Sequence, residues 1–289
     1  MPSEPPNACP AGTAPTAGIA LTDPESVEAR GGRAIPARLL PTVAQLEGIK
    51  ACCPMEVSSF SRALDGAGGD IWGARMIAEG RVMLYIADFA GHGSAVAPNT
   101  IHLHSLMETI PRDASTPACV LAWLNRSLLE VLGPREFATM FCATLDFNKN
   151  TIEYACAGTE PQLYRPSSEK PFELISKPAL PLGIMADAVY ADQTAPFLPG
   201  GALLLYTDAL IETPKPPRSI FTPATLRNYL NETLKTAGTF EVCQALVRKI
   251  CPDETVKIDD DLTLIAVRHT GGARIEEGEP APGPAVTQG

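Results

Sequence analysis

The sequence predicts an α+β protein built on a largely antiparallel sheet or sandwich. Two observations lead there. Short apolar runs rich in strand-forming residues recur along the chain. Stretches with apolar residues at helical spacing fall in two separate blocks, one after the first strands and one before the last.

The first strands are the segment 70–77 and the run Val82-Met83-Leu84-Tyr85-Ile86-Ala87, joined by the turn Ala78-Glu79-Gly80. Residues 94–110 and 117–132 carry helical spacing and are separated by Pro111 and the breaker Asp113-Ala114-Ser115-Thr116-Pro117. Strands return at 137–146, 151–156, 172–176 and 189–197, with Asn148-Lys149-Asn150 as a turn, and Ala202-Leu203-Leu204-Leu205-Tyr206 reads as fully buried. Two amphipathic helices follow at 222–236 and 239–251, the first capped by Thr222 with Pro223 at its first position. A last strand runs from Leu262 to Val267.

Composition bounds the function. The 289 residues are 45% hydrophobic and 19% charged, and 33 acids against 23 bases give a formal charge of −10. No apolar run approaches the roughly 20 residues of a membrane span, and the start lacks the basic and apolar parts of a secretory signal. A net acidic chain without a basic cluster argues against a nucleic-acid partner. The eight cysteines form no CxxC pair, so reduced, mostly buried thiols in a cytoplasmic protein are expected. Residues 1–33 hold six prolines and no aromatic residue and read as a flexible leader. Residues 271–289 hold five glycines and three prolines and read as a flexible tail, leaving 34–270 as one folded domain.

The chemistry concentrates in four aspartates at strand ends. Asp70 follows Gly68-Gly69, Asp88 closes the run 82–87, Asp208 follows Tyr206-Thr207, and Asp260 precedes the strand from Leu262. If Ala78-Glu79-Gly80 is a three-residue loop, Asp70 lies directly opposite Asp88, with Cβ atoms about 5 Å apart. A two-residue Glu79-Gly80 loop instead turns the two side chains to opposite faces and removes the site. Gly80 suits either turn. Facing carboxylates repel unless a cation or proton lies between them. Hard oxygen donors without His or Cys suit Mg or Mn better than Zn. Two such ions roughly 4 Å apart, sharing an aspartate, activate a water and clamp a phosphoryl group for in-line displacement.

Four segments carry these aspartates: Gly68-Gly69-Asp70, Ile86-Ala87-Asp88-Phe89-Ala90-Gly91-His92-Gly93, Tyr206-Thr207-Asp208 and Asp259-Asp260-Asp261-Leu262-Thr263. In order and spacing they resemble the SpoIIE/RsbU branch of the metal-dependent (PPM) serine/threonine phosphatases. Pro181-Leu182-Gly183 and Phe137-Ala138-Thr139 look like that branch too, so the resemblance covers about 36–268. It implies an αββα four-layer sandwich of two mostly antiparallel sheets flanked by helices, with two Mn2+ or Mg2+ ions. Carried across by motif, Asp70, Asp88 and the main-chain carbonyl of Phe89 would hold one ion. Asp88, Asp208 and Asp260 would hold the other, Asp88 bridging. It further implies that a metal-activated water attacks phosphoserine or phosphothreonine directly, on a STAS-type anti-anti-sigma protein in a partner-switching pathway.

Three positions depart from the branch: Gly73 stands where a second Asp is common, Ala209 follows Asp208 where Gly is usual, and Gly158-Thr159-Glu160-Pro161 replaces Gly-His-x-Pro. If the position after Asp208 needs a positive φ, Ala is costly and Asp208 is misaimed. These departures motivate a second reading, a phosphatase-like binding module that has lost turnover. Another two-metal phosphoester hydrolase, such as a nuclease, is disfavoured by the acidic charge. His92 is a candidate general acid or a shaper of the turn between Gly91 and Gly93. His102 and His104 form an HxH whose members diverge on a helix, and Ser94 lies outside any GxSxG elbow. Arg81 and Arg135 read as solvated rather than phosphate-orienting, and of the three consecutive aspartates only the middle one is read as a ligand. Leu39-Leu40-Pro41 resembles the helix that links sensor modules to this branch, so a homodimer through 34–48 is expected to be available. With a leader of only 33 residues, the expectation is a standalone phosphatase or one regulated by a separate partner.

Overall fold

Both faces of nearly every central strand are apolar, so the strands need cover on two sides. The computed structural model describes residues 39–64, 68–91, 95–111, 114–213, 220–234, 236–251, 258 and 260–271. Along the chain these form α1 (Val43–Cys52), β1 (Met55–Arg62), β2 (Ile71–Ala78), β3 (Arg81–Phe89), α2 (Ala97–Glu108), α3 (Pro117–Leu129), β4 (Ala138–Asp146), β5 (Thr151–Ala157), β6 (Gln162–Arg165) and β7 (Glu173–Ile175). β8 (Gln193–Pro196), β9 (Ala202–Tyr206), α4 (Ala209–Glu212), α5 (Pro223–Thr233), α6 (Thr239–Ile250) and β10 (Leu262–His269) complete them. The leader 1–33, the tail after Gly271, His92, Ser94 and Asp259 lie outside the described residues.

The strands make two five-stranded sheets, ordered β1-β10-β9-β6-β7 and β2-β3-β4-β5-β8, with every neighbouring pair antiparallel. Strand alternation divides the core into three layers. On β3, Val82, Leu84 and Ile86 face a central core with Trp72, Phe141, Leu205 and Ile265, while Met83, Tyr85, Ala87 and Phe89 face α2 and α3. On the other sheet, Leu204, Tyr206 and Leu264 pack outward under α5 and α6 with Leu226, Leu230 and Leu246. The order is helices, sheet, sheet, helices: the expected αββα sandwich.

Local chemistry starts the helices. Thr42 caps α1 in a reciprocal capping box with Gln45, and Thr222 caps α5 in the same way with Thr225, Pro223 standing in the first turn. Thr116 caps α3, and Asp192 accepts a second bond there from the Ala118 amide at 2.7 Å. That bond belongs to the segment expected as a strand over 189–197. Only 193–196 pairs, because residues 177–192 instead run across β4 and α3 through the Ala138–Leu182 bridge and bonds to Asn125. The connecting helix expected near 34–48 is found as α1, running from Val43 to Cys52, and three further elements, β1, β6 and α4, were not anticipated.

At the sandwich end remote from the aspartates, His269 is buried against Phe147, 5.0 Å away edge-on, and Phe197. Its Nδ1 accepts from the Gly271 amide at 3.1 Å, so its proton sits on Nε2, 3.0 Å from Asn150 Oδ1. Burial lowers its pKa from 6.5. The unfolded chain therefore takes up this proton first, so the contribution of His269 to stability is lost as pH drops below about 6.5. In thermal melts across this range, His269→Gln should lose less stability toward acid, or gain more, than the wild type.

Candidate metal centre

The β2–β3 hairpin turns through two residues, Glu79 and Gly80, the length expected to separate Asp70 from Asp88. The register nevertheless brings them together. Ala78 pairs with Arg81, but the next rung is Met76 with Val82, so Ile77 is an extra, unpaired residue. This β-bulge shifts the ladder by one and swaps the faces of everything beyond it. From there the rungs run regularly to Ile71–Ala87, and the Phe89 amide donates to the Gly69 carbonyl at 3.3 Å. Asp70 and Asp88 thus occupy facing positions between those two links. They continue the inward-facing row of Trp72 and Ile86 at the open end of the central core.

The second sheet ends at the same place. Thr207 follows β9 and its amide donates to the carbonyl of Thr263 on β10 at 3.1 Å, while the Thr263 amide donates to the Thr207 hydroxyl at 3.0 Å. That hydroxyl donates in turn to Asp70 Oδ2 at 2.9 Å, joining the two sheets directly at the carboxylate. Asp208 opens α4 and Asp260 leads into β10, both half-buried. Asp261, only 2% exposed, takes a different part from its neighbour. Its carboxylate accepts from the Leu64 amide at 2.7 Å and the Gly69 amide at 2.6 Å, clamping the β1–β2 connection onto β10.

The two glycines before Asp70 make both approaches possible. A Cβ on Gly68 would lie 2.5 Å from Asp261 Oδ2. A Cβ on Gly69 would lie 2.8 Å from the Phe89 carbonyl oxygen and 3.3 Å from Asp88 Oδ1. The Phe89 carbonyl and the Asp88 carboxylate therefore face the same small volume. Sequence reasoning assigned no role to Thr207, Thr263 or Asp261; hydroxyl and carboxyl residues next to each proposed ligand were the available signal.

Electrostatics here is one-sided. Burial first, opposed by bonds from Thr263 and Thr207, and then Asp261 and Asp208, push the Asp70 carboxyl up to about 8. Burial, followed by Asp70, Asp208, Asp260 and Asp261, holds Asp88 well above the usual carboxylate range. Burial, Glu212 and Asp260 raise Asp208 to about 6 despite the Ala209 amide. Among the described residues no cationic side chain offsets any of the three. Asp70 Oδ1 is buried without a hydrogen-bond partner among the described residues. An orphaned carboxylate oxygen among acids that raise one another's pKa fits a hard divalent cation. Among the described residues no three His, Cys, Asp or Glu side chains form a ready cage. Asp88 and Asp208 share a cleft of about 70 Å3 with Thr139, Thr159, Glu160 and Thr207.

The departures have structural reasons. Ala209 is not among the residues with positive φ and simply begins α4, so it imposes no strain on Asp208. At Gly73 a Cβ would lie 2.4 Å from the Tyr85 ring, its cross-strand partner, so aromatic packing replaces a side chain there. Thr159 and Glu160 stand in the cleft wall. Arg81 lies at the far end of β3 and pairs with Asp146 at 3.3 Å, outside the site. Arg135, in a turn with φ 77°, is exposed and does not line the cleft.

Two outcomes follow. Asp70 binds its proton more tightly folded than unfolded, so metal-free stability should fall as pH rises from about 4 to about 8. A cation favours the ionised form, so the rise in melting temperature on adding Mn2+ should be larger near pH 8 than near pH 6, and Asp70→Asn should reduce the metal-free slope, Asp88 and Asp208 keeping the remainder. Gly68→Ala should displace Asp261 from the Gly69 amide, costing about 1–3 kcal/mol in denaturant titrations and weakening Mn2+ binding measured by calorimetry.

Comparison with known proteins gives this geometry a family. Residues 78–270 match the family model for Stage II sporulation protein E (SpoIIE). The chain is 28% identical over 162 residues to the phosphoserine phosphatase RsbP of Bacillus subtilis, covering 55% of this chain and 40% of that protein. It is 25% identical over 188 residues to the phosphoserine phosphatase RsbU of the same organism, covering 65% and 56%. The chain spans about half the length of these curated relatives. The SiaA-PP2C domain of Pseudomonas aeruginosa superposes with a TM-score of 0.64 at 20% identity, covering 81% of this chain and 92% of that domain. The chain therefore belongs to the SpoIIE family, on a PP2C-type fold.

Proposed function

We propose that this protein is a divalent-metal-dependent protein phosphatase that hydrolyses phosphoserine or phosphothreonine on a signalling partner. The observation that carries the reading is the cleft itself, which has Asp88, Glu160 and Asp208 in its lining and, among the described residues, no Lys or Arg. A phosphate dianion would be repelled from such a lining. It becomes a binding site only with divalent cations present.

Asp70, Asp88 and the Phe89 carbonyl would hold one Mn2+ or Mg2+ ion, and Asp88, Asp208 and Asp260 the other. When bound, these ions would supply an activated water and charge neutralisation for in-line attack on phosphorus. The chain's own residues do the positioning. Thr207 fixes Asp70 Oδ2 by its hydroxyl, leaving Oδ1 for a cation. Asp261 holds Gly69, and so the backbone leading into Asp70, against β10. The Thr139 hydroxyl in the wall offers a neutral donor to a phosphoryl oxygen without adding repulsion. The relatives RsbP and RsbU are named phosphoserine phosphatases, which favours a phosphorylated protein as substrate, a STAS-type regulator being the first to test.

Turnover of p-nitrophenyl phosphate and of a phosphoserine-bearing STAS protein should appear on adding Mn2+ or Mg2+ and vanish with chelator. Asp88→Asn should abolish turnover of both while leaving the metal-free fold as stable or more so, because one member of a repelling set is neutralised. Wild-type protein that is folded, metal-loaded and inactive on both would overturn the reading.

A further inference from the structure

A second cavity, of about 330 Å3, lies between the chain entering α1, strand β2 and the last turns of α2. That volume is at the lower end of the range for small-molecule sites. It is lined on the helix-facing side of β3 by Tyr85, whereas Asp88 faces the opposite side of the same strand. It is therefore separate from the acidic cleft.

One polar group in its walls is buried and unused: His104 Nδ1 has no partner among the described residues. It costs stability if nothing pairs with it, since water is given up without replacement. Tyr85, also in the lining, is 4% exposed. Two opposite charges flank them. Arg75 is pinned at the wall by its Nη1 bond to the Met107 carbonyl at 2.6 Å. Glu108 stands at the end of α2 with its carboxylate free of hydrogen bonds and ion pairs among the described residues. Both act on the Tyr85 phenol, Glu108 raising its pKa and Arg75 lowering it, so all three share one locality. Leu39, Leu40 and Pro41 supply an apolar rim.

We propose that this cavity binds a small zwitterion of the free amino-acid type, with its ammonium at Glu108, its carboxylate at Arg75 and an apolar side chain against Leu39 and Leu40. Glu108 is exposed and Arg75 half-buried, so each attracts an opposite charge from the open side of the cavity; a ligand bearing one charge meets one of them, whereas a zwitterion meets both. Tyr85 and His104 then complete the hydrogen bonding of the polar head.

Isothermal titration of the full chain with L-leucine and L-phenylalanine tests this. Controls are 4-methylpentanoate and 3-phenylpropanoate, which lack the ammonium, and 3-methylbutylamine and phenethylamine, which lack the carboxylate. At least one amino acid should bind in the millimolar range or tighter, and roughly fivefold or more tightly than both of its partial analogues. Glu108→Gln should bring its affinity down to that of the ammonium-free acid while leaving the acid's own affinity unchanged. Tyr85→Phe, which keeps the ring over Gly73, should weaken it further with the melting temperature retained. No binding of either amino acid, equal binding of an acid or amine analogue, or an affinity untouched by Glu108→Gln would each overturn the proposal.

Discussion

Like charges brought out of water at one end of a β-sandwich repel each other. Two unit charges about 4 Å apart interact by roughly 4 kcal/mol in a partly screened protein environment. Here Asp70, Asp88 and Asp208 are all pushed toward the protonated form by burial and by other acids. Much of the surrounding architecture counters that repulsion without neutralising it. Thr207 ties one sheet to a carboxylate of the other, and Asp261 anchors the loop that carries Asp70. Neither contributes positive charge, so the arrangement is structurally held but electrically unbalanced until a cation enters.

The parts legible in the sequence were those with a repeating or punctuated pattern. The apolar run 82–87, the Thr222-Pro223 helix start and the turn at 148–150 all appear where expected. Elements that rely on tertiary partners were not legible. Strand β6 is four residues long and is held by Gln162, whose side chain bonds both the amide and the carbonyl of Tyr206, a pairing no local pattern announces. Strand β1 is anchored by its full register with β10, some two hundred residues away in sequence. The expected strand at 189–197 shortened because Asp192 is drawn to the start of α3 instead.

At the site the same division holds. The four aspartates could be named from their places at strand ends, and two of them face each other as one of the two loop geometries required. The reason differs from either simple loop, since a bulge cannot be seen in a run such as Ala74-Arg75-Met76-Ile77-Ala78. Asp261 was passed over because adjacent aspartates look alike on paper. Only burial and its two short amide bonds distinguish the clamp from its half-buried neighbour Asp260. The residues at 73 and 209 looked like losses by comparison with related sequences. In three dimensions the first is the floor beneath an aromatic ring and the second an ordinary start to a helix.

The unpaired Ile77 also constrains how this hairpin can change over evolutionary time. Losing one residue at the bend, or the extra one at 77, would invert the inward row of β2 and send its leading acid to the helical side. A compensated pair of changes would restore it. Lineages that keep the chemistry should therefore vary in bend length and bulge together, and a change in hairpin length alone would mark a descendant that has surrendered the reaction while retaining the scaffold.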